Sequence, residues 1–233
     1  MTDTHNTLGP HSPHMPAADR AVIEHAIAEA ENTTGAEFVV AIAARSGRYD
    51  RAEDLFGLVF GLIGVSAAWL VFQSIEAGAW DEHNAVTMTI GLPIILGVFA
   101  IWSILGAALA TRIPMLARPC ITSRLMDDEV RTRGWEAYHI FRVDRAPSAA
   151  GVLVYVSLLE RRVLIATGDG IGEKLPAGAF NAARDALLAD IKSNKPVGQA
   201  LSGAVRGCAA VVAPVVPPRE RVNSIPNTVR LLA

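Results

Sequence analysis

The sequence predicts a small α/β domain whose chain is interrupted by a pair of membrane-spanning helices. Three observations predict it. Two long uncharged blocks, Leu55–Ile75 and Asn84–Thr111, hold most of the apolar excess of a chain that is 51% hydrophobic. Short β-branched runs and amphipathic helical patterns lie on both sides of those blocks. The first flank has room for only one helix and one strand, which cannot bury their apolar faces alone, so the two flanks must combine into one fold.

Residues 1–16 read as a disordered tail. His5, His11 and His14 sit among prolines, with neither an apolar run of the kind that makes a signal peptide nor a scaffold to hold a metal. Asp19 to Thr33 reads as an amphipathic helix. Its apolar stripe is Val22, Ile23, Ala26, Ile27 and Ala30, with Glu24, His25, Glu29 and Glu31 opposite. Asp19 is the expected N-cap, and Gly35 the expected left-handed residue past the end. Glu37–Ala44, EFVVAIAA, is short, apolar and bounded by glycines, as a buried strand is. The first domain part thus covers residues 17–54.

From Leu55 to Ile75 no charge occurs, and as a helix this block reaches about 31 Å, the thickness of a hydrocarbon core. We assign the spans to residues 55–75 and 88–111, with an outer loop at 76–87 that carries Glu76, Asp81 and Glu82. Pro93 falls near the start of the second span, where a kink is tolerated. Trp69 and Trp80 suit a membrane interface, whereas Trp102 is expected to pack. Gly57 with Gly61, Gly64 with Ala68, Ser103 with Ala107, and Gly106 with Ala110 are small-residue pairs that let helix backbones approach, either each other or a second copy in a homodimer. Neither span carries an ionisable residue, which argues against transport. Arg45, Arg48 and Arg51 precede the pair and Arg112, Arg118 and Arg124 follow it, while Gln73–Val86 has no basic residue. The positive-inside rule then puts both flanks and both termini in the cytoplasm, with the protein in the inner (plasma) membrane.

The second domain part is residues 112–216. A polar helix starting at Thr122 or Ser123 has the stripe Met126, Val130, Ala137 or Tyr138, and Phe141. Gly151–Ser157 and Arg161–Thr167 form a β-hairpin. Two helices follow, one with Phe180, Ala183, Leu187, Leu188 and Ile191 on its stripe, the other with Val197, Leu201, Ala204, Val205, Cys208, Val211 and Val212. Residues 217–233 read as a tail.

Chemistry-bearing residues are sparse. Gly168-Asp169-Gly170-Ile171-Gly172 can bring backbone N–H groups to a phosphate, or can serve as a plain strand-to-helix turn; it has neither a P-loop ending nor Gly-x-Gly-x-x-Gly spacing. Asp169 and Glu173 can offer oxygens to a hard cation such as calcium or magnesium. His25, His83 and His139 are not paired in sequence with a nucleophile. Cys120 and Cys208 are expected to be reduced thiols rather than a bridge, Cys208 as core and Cys120 near the membrane exit. The balance of 21 basic against 23 acidic residues leaves no footprint for nucleic acid.

With its Glu37–Ala44 strand and the stretch GVLVYVSLLERRVLIATGDGIGEKLP at residues 151–176, the chain resembles the TPM-domain family (TPM phosphatase-like). It is most similar in plan to the bacterial membrane branch whose domain is split by a transmembrane hairpin. The resemblance implies a three-layer sandwich around a central sheet of about four strands, one more than the three legible here. It also implies divalent-cation binding through acids beside the sheet, to which Asp169 corresponds and to which Glu173 and Asp144 can be added, and phosphatase activity in some relatives. Ala177 stands where relatives often carry an acid, and Ser148-Ala149-Ala150 replaces more polar residues. The expected role is therefore a membrane-tethered interaction or assembly module. Its partners would be lipid and another membrane protein or a second copy, and a weak metal-dependent phosphatase is the alternative.

Overall fold

A computed structural model of the chain describes residues 15–72, 83–218 and 225–232. The histidine-bearing tail and the loop residues Glu76, Trp80, Asp81 and Glu82 lie outside them. The chain divides into two compact units, Met1–Gly47 with Arg124–Ala233, and Arg48–Ser123.

The first unit is an α/β sandwich on a four-stranded sheet ordered β3-β2-β1-β4. Strand β1 (Glu37–Ala43) runs parallel to β2 (Gly151–Ser157), in register from Glu37 opposite Gly151 to Ala43 opposite Ser157. Strand β3 (Arg162–Thr167) returns antiparallel to β2. All seven residues of β1 and of β2 are buried, which explains their unbroken apolar runs: both sheet faces are covered. Phe38, Val40, Ile42, Val152, Val154 and Val156 face one layer, built from α1 (Ala17–Thr33), α7 (Asn181–Lys192) and α8 (Val197–Val212). Val39, Ala41, Leu153, Tyr155 and Ala166 face the other layer, where α5 (Ser123–Ile140) contributes Val130, Ala137 and Tyr138.

The fourth strand corrects the expected tail. Arg230–Leu232, inside residues 217–233, forms β4 and pairs in parallel with Ala41–Ala43. Buried carboxylates dock the segment leading into it. Glu31 accepts from Asn227 Nδ2 at 2.8 Å, and Glu37 accepts from the Ile225 N–H at 3.3 Å. Glu31 therefore belongs to the interior, not to the polar face, because its other oxygen accepts the Phe38 N–H at 3.0 Å. Val22, placed on the apolar stripe, is exposed.

Two helix ends also differ from expectation. Helix α1 begins at Ala17 behind Pro16, so Asp19 lies inside its first turn and makes no cap bond. Gly35 does not have positive φ; it is needed because a Cβ there would come within 2.7 Å of the Pro217 carbonyl.

In the second unit, α2 (Asp50–Phe72) and α3 (His83–Arg112) are two helices long and apolar enough to cross a membrane. Helix α3 starts within the segment expected as outer loop. A core helix would be mostly buried, yet only 17% of the first span and 6% of the second is. The short α4 (Pro114–Ala117) and a 3-10 turn (Arg118–Cys120) follow.

Candidate functional site

The small residues predicted to mediate helix contact do so between α2 and α3. A Cβ at Gly57 would lie 2.7 Å from the Ser103 carbonyl and 3.0 Å from Ala107, and one at Gly61 would strike Ser103 Oγ and the Phe99 ring. Gly64 lies under Trp102, whose indole also meets Phe60 with ring centroids 5.3 Å apart. Trp102 is thus a packing residue, as expected. Ala68, paired in sequence with Gly64, is partly exposed. The outer surface of the pair is aliphatic: Leu62, Ile63, Leu96, Ile101 and Ile104 are all exposed.

In the first unit, two of the sequence-predicted acids flank strands β2 and β3 in the chain, Asp144 before the start of β2 and Asp169 after the end of β3. Those two ends adjoin because the strands are antiparallel, and Gly168 N–H donates to Gly151 O at 3.0 Å. The connection from α5 to β2 is made of tight turns, with Arg142, Ser148 and Ala149 all left-handed at φ of 57°, 58° and 51°. Left-handed backbone at non-glycine residues costs energy and is kept only where the surroundings impose it. Here the second loop imposes it: a Cβ at Gly168 or Gly170 would run into the Ala149 and Ser148 carbonyls respectively. The glycines thus serve loop-to-loop packing. The helix they open, α6 (Asp169–Gly172), is a single turn, too short to gather a useful dipole for a phosphate.

Tyr138 feels the charge of two of these acids. It is buried, and burial raises its phenol above the ordinary value; the charges of Asp144 and Asp169 raise it further. The phenol therefore stays protonated at neutral pH. Asp144 also faces His139, with Nδ1 and Oδ2 3.5 Å apart. Glu173, one residue past α6, is exposed and is not among the charges acting on Tyr138. Among the described residues no group of three or more His, Cys, Asp or Glu is placed to hold a metal ion. Asp144, Asp169 and Glu173 accordingly do not form a closed ligand set, and a calcium ion, which takes six to eight oxygens, does not fit them as they stand.

Sequence reasoning missed a buried polar cluster at the opposite ends of β1 and β2. Glu160, 1% exposed, accepts the N–H of Ser46 at 2.9 Å and of Gly47 at 3.3 Å, and its second oxygen accepts from Ser157 Oγ. Ser46 Oγ shares a 2.9 Å bond with Tyr155 Oη, and Arg133 Nε donates to the Ser46 carbonyl at 3.2 Å. Burial raises the Tyr155 phenol, and the Ser46 bond partly offsets the rise. A carboxylate clasping two consecutive N–H groups fixes the chain where it leaves β1. The available signal was slight: an acid in a hairpin turn three residues after a serine.

Comparison with known proteins gives the fold and little more. No family model matches the chain, and no curated protein matches it. Among solved structures, the chain is similar to the NMR structure of the BA42 protein from the psychrophilic bacterium Bizionia argentinensis, with a TM-score of 0.54 and 15% sequence identity over 94% of this chain and 95% of that one. At that identity the likeness concerns the fold alone.

Proposed function

We propose that this protein is a membrane-tethered interaction or assembly module that performs no catalysis. The observation that carries the reading is the exposed, unbroken apolar surface of α2 and α3, inserted between two parts of one α/β sandwich. Such a surface is costly in water and favourable in lipid. Basic residues on the outer flanks of the pair and none at Gln73–Val86 support a cytoplasmic α/β unit in the inner membrane. The resemblance to the TPM-domain family supports an assembly role. So does the sandwich itself, whose buried polar groups are engaged in holding loops rather than arrayed around a cleft. The test is chemical cross-linking of the full chain in native membranes, followed by a phosphatase assay of the purified protein. A stoichiometric membrane partner retained by the Asp169→Ala variant is expected. Phosphatase turnover abolished by that substitution would contradict the proposal.

One observation favours a second reading, a weak divalent-metal-dependent phosphatase. Asp144 and Asp169 both act on Tyr138 beside a loop with three left-handed residues, and strain of this kind gathers at binding sites. Two carboxylates can make part of a cation site if substrate oxygens complete it. Calorimetric titration with calcium, magnesium and manganese tests it, and no heat of binding with any of the three ends it.

A further inference from the structure

The connector that follows α3 has a design of its own. From Arg112 to Met126 the sequence contains Arg112, Arg118 and Arg124 and no acid. The helix breaks at Ile113, whose φ of −127° and ψ of 79° precede Pro114, a residue that cannot continue the ladder. The chain then folds back as α4 and the 3-10 turn, with α4 packed against both α2 and α3 and with Ala117 and Ile121 buried. Ile113 and Met115 point away from that contact and are 48% and 53% exposed. A connector that buries Ala117 and Ile121 yet turns Ile113 and Met115 outward is built to meet a second apolar phase.

The charges around it are arranged to match. Among the described residues Arg112 and Arg118 have no ion pair. Of the acids at the same end of the helix pair, Asp50 pairs with Arg48 at 3.7 Å and Glu53 accepts from Thr111 Oγ1 at 2.7 Å, while Asp54 is exposed beside Leu58 and Ser103. The geometry points to an interfacial foot in which Ile113 and Met115 enter the edge of the hydrocarbon while Arg112 and Arg118 bind the phosphates of anionic phospholipids. This rests on the membrane reading and goes beyond it: positive-inside charge sets orientation in any bilayer, whereas a foot of this kind discriminates by lipid headgroup. Basic residues at an anionic surface gain about 1 kcal/mol each, or about fivefold in occupancy, and the burial of two apolar side chains adds to that.

The experiment uses the full chain in liposomes of phosphatidylcholine alone or mixed with phosphatidylglycerol. A polarity-sensitive fluorophore is attached through Met115→Cys, with Cys120→Ser to remove the nearby thiol, and separately through Ile101→Cys as an internal reference on the exposed side of α3. The expected result is an apolar signal at position 101 in both compositions, and one at 115 that strengthens with phosphatidylglycerol. Arg118→Gln should reduce that strengthening about fivefold, and Arg118→Lys should retain it. An unchanged signal at 115 between compositions, with 101 still apolar, overturns the foot and leaves the membrane reading standing. A water-like signal at 101 overturns both.

Discussion

Helices α8 and α3 are both apolar, yet one is mostly buried and the other mostly exposed. In α8, Leu201, Val205, Cys208 and Val212 are buried at 1% or less, while Gln199, Gly203 and Arg206 form a polar outer edge, with Arg206 bound to Glu29 at 3.0 Å. In α3 the exposed positions include Leu96, Ile101, Ile104 and Leu105, and no charged side chain occurs before Arg112. The difference teaches that total hydropathy does not separate a core helix from a lipid-facing one, and periodicity does. A core helix keeps one face for water, while a lipid-facing helix has no such face and reserves its small residues for its neighbour.

Substitutions can break that comparison. The largest effect is expected at Leu201→Ala, which leaves a cavity under α8 and should cost about 2–5 kcal/mol in denaturant unfolding. Leu105→Ala on the exposed side of α3 should stay within about 0.5 kcal/mol in the same detergent-solubilised assay. Equal losses would erase the distinction. Ile104→Arg, at a position 69% exposed, should cost about 2.5–3.5 kcal/mol of membrane insertion, seen as protein extracted by alkaline carbonate. If α3 faced water instead, the change would be nearly neutral. Glu160→Ala strands the Ser46 and Gly47 N–H groups and should cost about 1–3 kcal/mol of unfolding stability. Arg206→Ala, which removes an exposed pair, should cost no more than about 1 kcal/mol.

The thiols, Cys208 in the α/β unit and Cys120 in the helical one, sharpen the contrast. Burial pushes Cys208 up to about 12 from 9.0. Because its folded value lies above the unfolded one, its contribution is whole below about pH 9 and is lost as pH rises toward 12. Alkylation of the native protein at neutral pH should therefore modify the partly exposed Cys120 and spare Cys208, as peptide mass mapping would show. A small effect of opposite sign is expected at Ala149→Gly, where left-handed backbone at φ of 51° would relax. The gain, up to about 1 kcal/mol after the entropy of glycine is deducted, would appear as a small rise in melting temperature. A loss instead would show that the Ala149 methyl packs rather than strains.

Most of the α/β unit was legible because its elements are long or strongly patterned. The runs at Glu37–Ala44 and Gly151–Ser157, the hairpin, and α5, α7 and α8 lie within a residue or two of where the sequence predicts them. Strand β4 was illegible for a physical reason. Three residues show no alternation, and what seats them is remote in sequence: Glu31 and Glu37 on the segment before it, and the edge of β1 beside it. The same holds for Glu31, whose place on the helix surface is overridden by two hydrogen bonds from elsewhere in the fold. At the candidate site, Asp144 and Asp169 were named from sequence, and both act electrostatically on Tyr138, a residue then read only as core. Glu173, grouped with them by its place in sequence, is exposed and is not among the charges acting on Tyr138.

The central claim is that α2 and α3 cross a bilayer and leave the α/β unit on its cytoplasmic side. Single cysteines introduced through Asn84→Cys and Asp185→Cys, in a chain lacking Cys120, test it with a membrane-impermeant maleimide on intact cells. Position 84 should react from outside, and position 185 only after the membrane is opened. Reaction of both positions in intact cells, or of neither until lysis, would contradict it.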